Sequence, residues 1–175
     1  MRSDPMRLRA MYLLLRITVG ISCFVTPIVV ADEALVKKEG QTLSSYGRWV
    51  IAADYASGGS LLVTAGGESL LYRPGDVGVW KPDGNRVGEL SGHPTAVWAV
   101  DVSSDGKLVA TAGYDGLVKV WDLQSRKLKA DLKQHKGWVR SLAFSPDGLR
   151  LASAGEDGKV FLWNTKDGKA AVTVE

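Results

Sequence analysis

"HKGWVRSLAFSPDGLRLASAGEDGKVFLWN", His135 to Asn164, decides the fold, because forty-two residues earlier the chain reads "HPTAVWAVDVSSDGKLVATAGYDGLVKVWD", His93 to Asp122. His93 recurs as His135, Asp105-Gly106 as Asp147-Gly148, Asp115-Gly116 as Asp157-Gly158, and Trp121 as Trp163. A fixed period of this length marks a repeat architecture, in which each copy is one supersecondary unit that buries its faces against its neighbours. It points to work through a surface rather than through a catalytic cleft.

Inside each copy, short alternating apolar runs are punctuated by Asp-Gly pairs, the strongest short-range hairpin signal. In the later copy Val139, Leu142 and Phe144 belong to one strand, Leu149 to Ala154 to a second and Val160 to Trp163 to a third. Val172 to Val174, after the Asp167-Gly168 turn, supply a fourth. Four antiparallel strands per unit make the blade of a propeller. A more decayed copy lies upstream: Val50 to Gly67 overlays Val97 to Tyr114 at a shift of forty-seven residues. Trp80 falls only forty-one residues before Trp121, so this copy carries about six extra residues between its second and third strands. Gly40 to Leu43 overlays Val87 to Leu90, an outermost strand. The expected fold is all-β, an incomplete propeller of three four-stranded antiparallel blades. Residues 40–175 divide into repeats at about 40–86, 87–127 and 128–175, behind a polar linker over 32–39.

The first thirty-one residues read differently. Arg2, Arg7, Arg9 and Arg16 precede the apolar run Ile17 to Ala31, which leads into "VVADEA", Val29 to Ala34. A basic start, an apolar stretch and a small-residue exit describe a secretory signal helix. Cleavage after Ala31 and export to the periplasm or the cell exterior are the expectation. The alternative is a membrane anchor formed by residues 11–31, against which Arg16 and Pro27 count. The chain has 22 basic and 19 acidic residues, but the leader holds four of the bases and one acid, leaving 18 of each. The folded part therefore carries no basic excess of the kind a nucleic-acid binder shows, and no nucleic acid is expected as a partner. The single cysteine, Cys23, lies in the leader. Neither a disulfide nor a cysteine metal site is available to the rest.

Gly92-His93 followed by Trp121-Asp122, with His135 to Trp163 in the next copy, resembles the WD-repeat β-propeller family. The third repeat departs from that pattern at Gln134 and Asn164, and the first at Tyr46 and Glu68.

Two sets of residues in the good repeats invite a chemical reading: His93, Thr111, Asp115 and Trp121, and then His135, Ser153, Asp157 and Trp163. A hydrolytic triad needs an exposed nucleophile beside an oxyanion hole, and two half-identical sites would be odd for one active centre. The residues also suit a polar lock. An indole N–H donates to the hydroxyl, the hydroxyl to one imidazole nitrogen, and the other imidazole N–H meets the carboxylate. The resemblance implies this structural tetrad at these positions. A connected network of this kind rigidifies a fold, and loss of one member strands the others.

One chain of bonds joining the His loop to the Asp turn puts both on one rim, which the resemblance implies is the binding face. Candidates for a partner surface there are Trp49, Tyr114, Lys136, Trp138 and Glu156. Trp49 and Trp138 are equivalent, with Ala96 between them. Each is either an exposed anchor or a ring packed under its loop. The extra residues of the first repeat fall on the same rim and bring Leu70, Leu71 and Tyr72, which either contact a partner or pack inward along a β-ribbon.

No phosphate-binding Gly-rich loop follows a strand, and no His or Cys is left over for a metal. No metal, cofactor or catalytic residue is expected. Asp101 is the one carboxylate in an inward strand position, and its equivalents, Asp54 and Ala143, suggest a repeat-to-repeat polar contact. The leading expectation is an exported, non-catalytic scaffold for protein–protein interaction, touching a membrane only through its N-terminal segment. The alternative is the propeller part of a larger exported enzyme whose catalytic part lies outside this chain. Propellers close with four to eight blades. Three blades lead to two further expectations: a longer gene product, or self-association in which two chains make six blades.

Overall fold

The computed structural model describes residues 49–67 and 73–174. Twelve strands form three antiparallel sheets of four, each in chain order. The first holds β1 (Trp49–Tyr55), β2 (Leu62–Gly67), β3 (Asp76–Trp80) and β4 (Arg86–Glu89). The second holds β5 (Val97–Val102), β6 (Leu108–Gly113), β7 (Val118–Asp122) and β8 (Lys127–Leu132). The third holds β9 (Val139–Phe144), β10 (Arg150–Gly155), β11 (Val160–Asn164) and β12 (Ala170–Val174). The expected all-β blades are present. The expected signal helix and the outer strand Gly40 to Leu43 lie outside the described residues. Leu149, expected at the start of a strand, instead sits in the turn before β10 and is 63% exposed.

Strand alternation explains the core. Successive side chains of a strand point to opposite faces, so Val109 of β6 faces one neighbour while Ala110 and Ala112 face the other. Val63, Ala65, Val77 and Val79 of the first blade pack against Val97, Val109 and Trp121 of the second. Ala110, Ala112, Val118 and Val120 in turn pack against Val139, Leu151, Phe161 and Trp163 of the third. Each blade thus sets small alanines and valines against the larger side chains of the next. Each fully buried Val or Leu contributes about 1.5–3 kcal/mol. β5 lies beside both β1 and β9, so the first strands meet and the sheets radiate from them.

Two polar clamps cross the seams between blades. The Asp54 carboxylate accepts the main-chain N–H of Val102 at 2.7 Å, and Asp101 accepts that of Phe144 at 2.6 Å. Burial raises the pKa of the Asp54 carboxyl, with the Val102 and Tyr55 N–H groups pulling the other way. Covalent continuity adds to the clamps, because the sequence repeat and the sheet are offset by one strand. β8 closes the second blade, yet in the sequence it opens the third repeat, which begins at about residue 128.

Bulges recur at matching places. β1, β5 and β9 each shift register once against the strand they pair with, leaving Ile51, Trp98 and Arg140 as the extra residues. Bulges re-aim side chains and strengthen local twist. They decide what the rim presents.

Candidate functional site

The loop ahead of β5, the turn between β6 and β7 and the two strands flanking that turn deliver four polar side chains to one buried spot. His93 Nδ1 lies 2.8 Å from Asp115 Oδ2 and its Nε2 lies 2.9 Å from Thr111 Oγ1. The Trp121 indole donates to that same hydroxyl at 2.7 Å. The third blade repeats the arrangement: His135 Nδ1 is 3.0 Å from both Asp157 oxygens, its Nε2 is 2.8 Å from Ser153 Oγ, and Trp163 donates to Ser153 at 2.8 Å. The one proton sequence that satisfies every atom is indole to hydroxyl, hydroxyl to Nε2, and Nδ1–H to carboxylate.

Asp157 is tied down further. Its carboxylate accepts the main-chain N–H groups of Lys136 at 3.0 Å and Lys159 at 3.2 Å. Burial raises the pKa of this carboxyl, but the Lys136 N–H, His135 and the Lys159 N–H outweigh it and hold the group below the ordinary carboxylate range. Both histidines are buried, and their ring nitrogens are all engaged. Ser153 is 1% exposed and Thr111 is fully buried. A hydroxyl so enclosed has no access to a substrate, so the arrangement binds loops together and offers no nucleophile.

Among the described residues the first blade shows one bond of the lock. Trp80 donates to Thr64 at 2.8 Å in a buried bond. Tyr46 and Glu68, which stand where the His and Asp would be, lie outside the described residues, as do Leu70, Leu71 and Tyr72. The flanks of that insertion are described and sit on the second blade. Gly75 N–H donates to the His93 carbonyl at 3.0 Å. A Cβ on Gly75 would lie 2.4 Å from the Thr95 carbonyl oxygen, and one on Gly67 would lie 2.9 Å from the Ala96 Cβ. That close approach explains why Ala96 occupies the place held by Trp49 and Trp138 in the other repeats.

On the rim above, the structure joins three of the candidates and adds two that sequence reasoning missed. Tyr114 and Trp138 stack with centroids 3.9 Å apart, and Trp138 and Trp98 lie 6.5 Å apart within 21° of parallel. The Arg140 guanidinium carbon lies 4.6 Å from the Trp98 ring centroid and 4.7 Å from that of Trp138. Arg140 Nε donates to Glu156 Oε1 at 3.0 Å, and its Nη2 donates to the same oxygen. The three rings are half-buried, while Arg140 and Glu156 are exposed. Trp49 stands apart and is 63% exposed; Lys136 is exposed beside Trp138. Trp98 and Arg140 are equivalent positions, forty-two residues apart. Both are bulge residues, and a large side chain at both positions was the available signal.

The profile described as "WD domain, G-beta repeat" matches residues 84–122 and 126–164. Eukaryotic translation initiation factor 3 subunit I of Phaeosphaeria nodorum is 44% identical over 46 residues, 26% of this chain and 14% of that protein. The same subunit of Aspergillus niger is 37% identical over an equal span. The chain thus spans about one-seventh of the length of these relatives. Solved structures of U3-55K and of the RRP9 WD40 repeats each superpose with a TM-score of 0.70 at 21% identity, over 77% of this chain and 41% of theirs. At that identity the likeness is one of fold.

These findings correct the expected localisation. The curated relatives are subunits of a translation initiation factor, which is no exported protein, so export to the periplasm or cell exterior is withdrawn. Anchoring by residues 11–31 is withdrawn with it. Among the described residues no helix is long and apolar enough to cross a membrane.

Proposed function

We propose that this chain, two of whose repeats match the WD-repeat profile, is a non-catalytic scaffold that binds a protein partner through the rim above its two polar locks. The observation that carries this reading is the Tyr114–Trp138–Trp98–Arg140–Glu156 cluster, which spans the second and third blades and leaves its rings half exposed. Rigid aromatic and arginine side chains are the usual energetic centres of protein interfaces. The groups a catalyst would need are spent below them: each His, hydroxyl and carboxylate of the locks is bound to another. The surface extends to Trp49 and Lys136, and to Leu70, Leu71 and Tyr72 in the insertion, whose flank at Gly75 rests on the His93 loop.

The test compares partners cross-linked to the tagged full chain in its own cells with those of the Trp138→Ala variant. A partner seated on the rim loses about 2 kcal/mol, near thirtyfold in affinity, and drops out of the cross-linked set. An unchanged set removes the reading.

A further inference from the structure

Beyond the rim, we infer that a second copy of this chain covers the two outer blade faces, the third blade of each copy seating the first blade of the other. The argument starts from the two seams already built. At each, the forward face of one blade offers small side chains and the rear face of the next meets them with larger ones. Ala110 and Ala112 of the second blade pack with Leu151 and Phe161 of the third, and Val63 and Ala65 of the first with Val109 and Trp121 of the second.

Each outer face is one half of such a seam. Ala152, Ala154, Val160 and Leu162 of the third blade stand in the ladder register that Ala110, Ala112, Val118 and Val120 hold in the second. They are half-buried, where those four are at most 1% exposed. This is a forward face of small and branched side chains with nothing of the described residues set into it. On the first blade, Val50 and Leu62 stand where Val97 and Val109 stand in the second. Val97 and Val109 are fully buried, whereas Val50 is 43% exposed and Leu62 half-buried. This is the rear face that such a forward face receives.

The carboxylate clamps match the two faces to each other. Across each built seam an Asp on the first strand of one blade accepts a main-chain N–H from the first strand of the next, Asp54 that of Val102 and Asp101 that of Phe144. The third blade has Ala143 in place of that Asp. A following blade that relied on the acceptor would be left with a stranded donor, which is costly once buried. The first blade makes no such demand. At its equivalent position the N–H of Tyr55 is taken by Asp54 of the same blade, at 2.8 Å. The missing acceptor on one outer face and the satisfied donor on the other thus fit a single seam. A head-to-tail contact closes into a ring when its rotation returns to the start. Two copies of three blades give six, within the four to eight at which propellers close.

Sedimentation equilibrium on the full chain tests this, with thermal melts showing that each variant is folded. The full chain should sediment at twice the mass of one copy. Leu62→Glu on one face and Leu162→Lys on the other should each raise the dissociation constant at least about a hundredfold, since each sets a charge into an apolar seam. Mixed together, the two variants should regain association, because each keeps the face that the other has lost. Ala143→Asp, at an exposed position that any folded chain tolerates, should raise the constant at least about tenfold by burying a carboxylate with no donor. Trp138→Ala, over the built seam between the second and third blades, should leave association unchanged. A monomer at every concentration overturns the inference, as does an assembly that keeps growing or a dimer that survives either charged substitution. Loss of the dimer in Trp138→Ala also overturns it and moves the contact to the rim.

Discussion

The carboxylate of Asp101 accepts the main-chain N–H of Phe144 at 2.6 Å, fastening the second blade to the third. Asp54 does the same for Val102 across the preceding seam. Replacing Asp101 by Ala leaves the Phe144 N–H without this acceptor, a loss of about 1–3 kcal/mol. Urea unfolding should show a lower midpoint for Asp101→Ala. An unchanged midpoint would mean that the seam is held by apolar packing alone.

Ser153 serves two partners at once, accepting from Trp163 and donating to His135. Ser153→Ala strands both, each at about 1–3 kcal/mol. Ser153→Thr should be tolerated, because Thr111 and Thr64 fill the equivalent place in the other blades. Calorimetry on the two variants checks the contrast. Equal destabilisation would show that volume, not hydrogen bonding, sets the cost.

These two cases show what the sequence made legible. The forty-two-residue period, the Asp-Gly turns and the alternation of Val109 with Ala110 are local signals, and they led to the right strands. Equivalence between Asp54 and Asp101 was enough to suspect the clamp. Trp98 and Arg140 escaped because a bulge turns a residue away from the face that alternation assigns to it, and no single residue type announces one. The Arg140–Glu156 pair escaped for the same reason. Expected export rested wholly on residues 1–31. A basic, apolar pattern there reports how a segment partitions between water and lipid, and says little about where the folded blades act.

Asp157 gives the lock a signature in acid. Its native pKa lies below the ordinary value of 3.8. Its stabilising contribution is therefore complete above its unfolded pKa and is lost as the pH falls through the lower native one. Asp157→Asn resembles the protonated group at every pH. Melting midpoints of the wild type and this variant should differ most near neutrality and converge as the pH drops below 3.8. A gap independent of pH would contradict the assignment.

Two glycines should respond very differently to a methyl group. A Cβ on Gly113 would lie 2.2 Å from the Ala96 carbonyl oxygen, backbone that cannot yield, whereas one on Gly158 meets nothing within 4 Å. Gly158 has φ of 75°, so Gly158→Ala costs about 1–2 kcal/mol of backbone strain. Gly113→Ala should cost more than that. The reverse order in denaturant titrations would place the β5–β6 register in error.

Leu71 and Tyr72 lie in the insertion whose flank rests on the His93 loop. Replacing both by Ser should weaken partner binding. Unchanged affinity would remove the insertion from the proposed surface.

The account depends most on the two locks being closed, and exchange of the indole protons reads this directly. In NMR spectra of the full chain, the Nε1 protons of Trp121 and Trp163 should exchange with deuterium far more slowly than that of exposed Trp49. Ser153→Ala should release Trp163 while leaving Trp121 protected. Indole protons of Trp121 and Trp163 exchanging as fast as that of Trp49 would contradict the buried hydrogen-bond chains on which the blades, the rim and its proposed partner all rest.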